Sequence, residues 1–129
     1  MIIDNKLLNK IKKQAQESPR LRMNYNLHDS LEAKAQRLLN ALEPGTVLPI
    51  HRHIYTSETY LLLRGQIRVI FYNDLGAETE SFLLDLQKGN YGVHIPKEQW
   101  HTLEVLKSAV ILEVKDGPYV PLQPEDLLY

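Results

Sequence analysis

Residues 45–65 read GTVLPIHRHIYTSETYLLLRG, and this stretch decides the fold. Gly45 is followed after five residues by His51-Arg52-His53, after four more by Glu58, and after another six by Gly65. Side chains alternate along an extended strand, so His51 and His53 face one side together while Arg52 faces the other. One strand thereby offers two imidazole ligands. Glu58 follows a short turn and opens the next strand, which can return antiparallel and set a carboxylate beside them. A third imidazole has to come from elsewhere, and His101, after Pro96 and Trp100 at the start of a later strand, is the natural candidate. Three imidazoles and one carboxylate suit a borderline divalent ion such as Fe, Mn, Ni, Co or Zn, and an octahedral ion would keep two positions open.

Around this stretch the chain breaks into short strand-like runs at 47–53, 58–64, 66–72, 78–84, 91–95, 100–106 and 109–115. Gly65, Asn73-Asp74-Leu75-Gly76, Lys88-Gly89-Asn90 and Pro96 punctuate them. Many short strands with turn signals at this spacing predict a sandwich or barrel rather than alternating strands and helices. Upstream, Leu7, Leu8, Ile11 and Ala15 recur at helical spacing, with Asp4 placed to cap the start and Ser18-Pro19 to end the helix. Residues 20–28 then alternate, with Arg20, Arg22, Asn24, Asn26 and His28 on one face and Leu21, Met23, Tyr25 and Leu27 on the other. Residues 29–43 carry both a capping box, Asp29 with Glu32, and an alternating run. We expect a turn or a single helical turn near 29–33 and then a strand from about Gln36 that Pro44-Gly45 terminates. The tail from Gly117-Pro118 to Tyr129 holds three prolines and reads as irregular chain over the surface.

With 129 residues, 43% of them apolar and 24% charged, the chain has material for one globular domain with a core of its own. The expected division is a helical segment over 1–19, a barrel over 20–115 and a tail over 116–129. There is no cysteine, which removes disulfides, thiolate metal sites and cysteine nucleophiles and leaves histidine and carboxylates to bind any metal. Fifteen basic against sixteen acidic residues supply no electrostatic footprint for nucleic acid or an anionic membrane. Charges interrupt the N-terminal MIIDNKLLNKIKKQAQ, so neither a signal peptide nor a membrane span is expected there, and the reading is a soluble, cytoplasmic protein.

The spacing from Gly45 to Gly65 resembles the first motif of the cupin superfamily, and Pro96 with Gln99-Trp100-His101 resembles the second. The resemblance implies a mainly β, double-stranded β-helix or jelly-roll barrel with His51, His53, Glu58 and His101 as metal ligands. Over nearly the whole chain the sequence is similar to the WbuC family of cupin-fold metalloproteins. That similarity runs through Ser18-Pro19-Arg20, Asn24-Tyr25-Asn26, the Gln36-Arg37-Leu38-Leu39-Asn40 run, Glu43-Pro44-Gly45, His51-Arg52-His53, Trp100-His101-Thr102, Glu113-Val114-Lys115 and Gly117-Pro118-Tyr119. The WbuC resemblance implies a setting in bacterial O-antigen polysaccharide gene clusters and a sugar or sugar-nucleotide substrate, with no defined reaction attached. Three positions depart from the general cupin pattern: Glu98 stands where the second motif has glycine, Val105 where it has asparagine, and Gly89 lies one residue further from Pro96.

Tyr60 and Arg64 share alternation parity with Glu58 and are expected to point into the barrel as reactive groups, although a buried tyrosine also serves as a packing residue. The polar face of 20–28 either meets water on an edge strand or closes over the pocket and binds an anionic or hydroxyl-rich ligand. His94 has no motif support and reads as a partly buried structural residue, and Trp100 as packing beside the site. The leading expectation is a metal-dependent isomerase, epimerase or lyase on a small carbohydrate-derived or carboxylate substrate. An iron-dependent dioxygenase, a non-catalytic metal-stabilised sugar-binding module and a metal-free dimerisation barrel compete with it. A homodimer, paired through the extended strand near the N-terminus, belongs to the same set of expectations.

Overall fold

Helix α1, Asn5–Glu17, starts where Asp4 accepts a hydrogen bond from the Leu7 N–H at 3.0 Å in the computed structural model, which describes residues 1–128. Leu8, Ile11 and Ala15 lie on one stripe of the helix and are buried. Ser18 is extended, as the residue before Pro19 must be, and the helix stops there as expected. No helix among the described residues is long and apolar enough to cross a membrane.

Six strands follow: β1 (Arg22–Asn26), β2 (Ala35–Leu42), β3 (Glu58–Tyr72), β4 (Glu78–Asp85), β5 (Gly92–Ile95) and β6 (Trp100–Asp116). They pair antiparallel in the order β1-β2-β6-β3-β4, with β5 on the first part of β3. The runs expected at 58–64 and 66–72 are one continuous bent strand, and so are those at 100–106 and 109–115. Gly65 marks the bend in β3 rather than its end: its φ is +85°, and a Cβ there would lie 2.1 Å from the Ser108 carbonyl oxygen of β6.

This bend changes which residues face inward. Glu58, Tyr60 and Leu62 are buried on the first half of β3, and Ile67, Val69 and Phe71 on the second. The pairing with β6 slips between Leu62 and Ile67, so even positions face inward before the bulge and odd positions after it. Both halves thereby feed one core with Leu42, Leu84, Ile95, Leu103, Val105, Ala109 and Ile111. On the outer face, Leu39, Ala41 and Val110 form a second cluster with Leu8, Ile11 and Ala15 of the helix. Strand β2 is therefore covered on both sides, and its burial runs unbroken from Leu38 to Leu42 where the alternating run had suggested one exposed face.

Two expected strands differ. Residues 47–53 form no regular strand and contribute two isolated bridges, His51 to His101 and His51 to Leu127. The strand expected over 20–28 is the shorter β1, because Leu21 sits at a left-handed φ of +56° and His28 turns inward. The turn expected over 29–33 is present without a helix, pinned by the buried Gln36 amide, which donates to the carbonyls of Ala33 at 2.8 Å and Leu31 at 3.3 Å.

The tail does more than cross the surface. Gly117 N–H donates to Lys34 O at 2.8 Å and Tyr119 N–H to Leu31 O at 2.7 Å. A 3-10 turn, Pro124–Asp126, then lets Arg52 N–H donate to Asp126 O at 3.0 Å and Leu128 N–H to Ile50 O at 2.9 Å. The segment is thus stitched to the loop that carries His51 and His53. Tyr129, the last residue of the expected tail, lies outside the described residues.

Candidate metal centre

The loop 47–53 is irregular, yet its backbone is held firmly at the point that matters. His51 N–H donates to His101 O at 3.0 Å and His101 N–H donates back to His51 O at 2.9 Å, which brings the two rings to 4.3 Å between centroids. His53 O accepts from Glu98 N–H at 2.9 Å, and the His53 ring lies 5.3 Å from that of His51. Glu58, the first residue of β3, sends Oε1 to His101 Nε2 at 2.8 Å and Oε2 towards His53 Nε2 at 3.6 Å. One ligand atom from each of His51, His53, Glu58 and His101 falls within 4.8 Å of the others.

The donor set fits a divalent ion. Nδ1 of His51 lies 3.0 Å from Pro49 O and Nδ1 of His101 lies 2.9 Å from Gln99 O, contacts that assign the proton to Nδ1 and aim the Nε2 lone pair at the site. His101 then has an acceptor oxygen facing each ring nitrogen, an arrangement that calls for a shared cation, a proton or a metal ion. Burial first, and His101 next, pull His51 down to about 4, and burial also lowers His53 against the opposing pull of Glu58. Burial would raise Glu58, but the hydrogen bond and charge of His101, the charge of His53 and the Tyr60 hydroxyl together hold it near 2. Neutral imidazoles beside an ionised carboxylate are the forms that coordinate metal at neutral pH.

The other expected residues divide. Tyr60 is buried in the barrel, and its hydroxyl donates to Glu58 Oε1 at 2.8 Å. Burial and the neighbouring Glu58 and Glu113 push it well above the usual phenol range, so it keeps its proton. Arg64 does not join the site: it falls in the β3 bulge, and its guanidinium donates to Asn9 Oδ1 at 2.7 Å and Asn5 Oδ1 at 3.0 Å of the helix. Parity with Glu58 failed at Arg64 because the bulge interrupts the alternation.

The polar face of 20–28 is also elsewhere. Arg22 donates to Val47 O at 2.9 Å, Asn24 and Asn26 are exposed on the edge strand, Arg20 is exposed, and His28 is buried with Nδ1 taking the Arg37 N–H at 3.1 Å. None of the five lines the cavity beside His53. His94 is exposed rather than partly buried and meets Thr59 Oγ1 at 3.0 Å. Trp100 packs next to His101 in sequence, donates to Asp74 Oδ1 at 2.9 Å and carries the Arg52 guanidinium 4.3 Å over its ring.

A cavity of about 220 Å³ opens beside His53, lined by Tyr55, Lys115, Tyr119, Leu122 and Asp126 among others. Lys115, Tyr119 and Asp126 were not expected as site residues. Glu113 and Asn40 were missed as well: Asn40 Nδ2 donates to Glu113 Oε1 at 2.8 Å, both are buried, and Glu113 pairs across from Tyr60. Glu113 shares the inward parity of Ala109 and Ile111 on β6, and a polar residue at core parity was the signal that could have marked it.

Burial first, and then the charge of Glu58, push Glu113 up to about 7 from 4.5 despite the Asn40 hydrogen bond. Its contribution to stability is therefore present below about pH 4.5 and lost as pH rises through about 7. His51 runs the other way, its contribution present above 6.5 and lost as pH falls through about 4. In metal-free protein the two slopes offset each other between them. Glu113→Gln is expected to raise stability at pH 8 by about 2–3 kcal/mol and to expose a stability that climbs from pH 4 to pH 6.5. Urea melts of chelator-treated protein across this range check it, and parallel profiles for parent and variant would refute the assignment.

Glu98, the position where the cupin motif has glycine, adopts a φ of +67° while its N–H holds His53 O. Left-handed backbone is what glycine supplies there, so Glu98→Gly is expected to stabilise the protein by about 0.5–1 kcal/mol, read as a small rise in urea midpoint. No change in midpoint would mean that the turn carries no strain.

A bent antiparallel barrel with three imidazoles and a carboxylate gathered at one end defines a cupin-fold protein with a candidate metal centre. Residues 3–84 match the model of a domain of unknown function, DUF6016, and the chain belongs to that family. The fold is shared with the capsular polysaccharide assembling protein CapF from Staphylococcus aureus at 19% identity and a TM-score of 0.62, covering 83% of this chain and 31% of that one. KdgF from a Halomonas species is similar at 12% identity and a TM-score of 0.61, over 80% of this chain and 84% of that one. A cupin-2 domain containing protein from Shewanella frigidimarina matches at 17% identity and a TM-score of 0.56, over 74% of this chain and 80% of that one. The chain thus spans about a third of CapF and most of the other two. No curated protein matches it in sequence.

Proposed function

We propose that this protein is a WbuC-like, metal-dependent enzyme, an isomerase, epimerase or lyase acting on a small carbohydrate-derived substrate in the cytoplasm, in the service of polysaccharide assembly. The observation that carries the reading is the convergence of His51, His53, Glu58 and His101 within 4.8 Å, with two imidazoles oriented by backbone carbonyls. The WbuC-like motifs and the capsular polysaccharide role in the name of CapF support the setting. A bound divalent ion would supply Lewis acidity towards a carbonyl or hydroxyl oxygen of the substrate. Glu58 would hold one side of the site, kept ionised and in one rotamer by the Tyr60 hydroxyl and His101. Tyr60, which retains its proton, would act as a positioning donor to Glu58 rather than as an acid or a base.

A second reading, a non-catalytic metal-stabilised sugar-binding module, draws support from one observation: Tyr60 is already hydrogen-bonded to Glu58 and Arg64 to the helix. Elemental analysis of tag-free protein purified without added metal, followed by a screen of sugar acids and sugar nucleotides with and without oxygen, separates the readings. The enzyme is expected to carry near-stoichiometric metal and to lose turnover when chelated. Metal with saturable binding but no turnover would favour the module. No metal after incubation with Fe, Mn, Co, Ni and Zn would sink both, and turnover that consumes oxygen and requires iron would reassign the protein as a dioxygenase.

A further inference from the structure

Four large apolar side chains that the core leaves outside, Tyr55, Tyr119, Val120 and Leu122, meet in the wall of the cavity beside His53. Tyr55 is 79% exposed and Tyr119 47%, so both rings are open to a ligand. Exposed apolar surface gathered in one concavity, rather than scattered singly, marks a binding site. The cavity holds about 220 Å³, below the ~300 Å³ from which pockets enclosing drug-sized ligands start, so it suits a monosaccharide and leaves a nucleotide outside. Charge then selects among monosaccharides. The lining holds three carboxylates, Asp116, Glu125 and Asp126, against the one ammonium of Lys115. Asp126 is committed within the tail, where Oδ2 accepts the Gln123 N–H at 2.9 Å and Oδ1 is shut away from the surface. Asp116 and Glu125 are exposed, and Lys115 does not neutralise them, because the ion pairs among the described residues are those of Glu58 with His53 and His101.

We infer that this cavity is a binding site for a small amino sugar, whose ammonium is held by the tyrosine faces and the charges of Asp116 and Glu125. Carboxylates without a partner attract a cation, and so does the face of a tyrosine ring. The Tyr119 ring already has one cation near it, the Lys115 ammonium at 6.0 Å. A sugar acid or a sugar phosphate would instead meet a lining of net negative charge, which selects against it. The inference deepens the proposed enzyme and rests on it, since it makes a free amine the feature by which that enzyme chooses its sugar.

Titration calorimetry of metal-loaded protein with D-glucosamine, D-glucose and D-glucuronate tests it, at a slightly acid pH where the sugar amine is charged, because the three share one ring and differ in charge. D-Glucosamine is expected to bind at least about five-fold more tightly than D-glucose, and D-glucuronate more weakly than either. The preference should shrink as salt is raised. The Asp116→Asn, Glu125→Gln double variant should bring D-glucosamine to within about two-fold of D-glucose, with D-glucose affinity and metal content at the parental level. D-Glucosamine that binds the parent no more tightly than D-glucose, or not at all, would overturn the inference without any variant, as would D-glucuronate binding the most tightly. A double variant that keeps the preference would place the amine on the metal ion and overturn it too. Metal-loaded protein without amine preference leaves the proposed enzyme standing and removes the amino-sugar site. Amine preference in a protein that takes up no metal leaves the site standing and removes the enzyme.

Discussion

The His51→Ala, His53→Ala double variant is expected to bind divalent metal at least 10⁴-fold more weakly than the parent, about 5.5 kcal/mol. The two rings are half of the four donors that meet within 4.8 Å, and both come from one loop, so removing them leaves only the Glu58 and His101 pair. That pair is satisfied without metal, through the 2.8 Å contact between them, the Tyr60 hydroxyl on Glu58 and the Gln99 carbonyl on His101. The bridge between residues 51 and 101 is made by backbone atoms and survives the change to alanine. The variant should therefore fold while losing the site. A chelator competition titration reads the affinity, and thermal melts give a second measure, since a ligand that binds only the folded state raises Tm in proportion to the logarithm of its excess. Zinc or manganese should raise the Tm of the parent and leave that of the variant unmoved; equal affinities would place the metal elsewhere or nowhere.

Gly65→Ala is expected to destabilise the protein by about 4 kcal/mol, with Tm lower by roughly 10–15 °C. Two costs combine at this residue. A φ of +85° is left-handed backbone, and the new Cβ would lie 2.1 Å from Ser108 O and 2.7 Å from Ala109 Cα, both main-chain atoms of the partner strand. Neither can move without opening the β3 and β6 pairing at the bulge that turns the inward face from even to odd positions. Gly76 supplies the control. Its φ is +80°, but a Cβ there meets only the end of the Leu128 side chain at 3.7 Å, so Gly76→Ala should cost about 1–2 kcal/mol. Equal costs at the two glycines in urea melts would show that close approach to Ser108 contributes nothing to the bend.

The four-residue constellation was legible because it depends on spacing alone. The spacing brings the ligands together although their segment is an irregular loop, because backbone bridges tie His51 to His101 and to Leu127 and Glu58 begins β3 just after the loop. Helix α1 was legible for a similar reason, since its cap, its stripe and its stop are all encoded within a few residues of each other. The lengths of β3 and β6 were not. Gly65 looks like punctuation to local reading, and only the approach of Ser108 makes it a bend inside one strand.

The sequence by itself determined the β class, the helix, the absence of thiolate ligands and the set of residues able to gather a metal ion, because each follows from residue type and period. Tertiary structure alone decided where Arg64 points, since the successive register shifts between Leu62 and Ile67 break the alternation there, and it alone moved the polar face of 20–28 away from the cavity. It alone also brought Lys115 from β6 and Asp126 from the tail into the lining of one cavity. Hydrogen bonds from the tail to Lys34, Leu31 and Ile50, and from Arg52 to the tail, hold that arrangement, and contacts so distant along the chain leave no periodic signal to read.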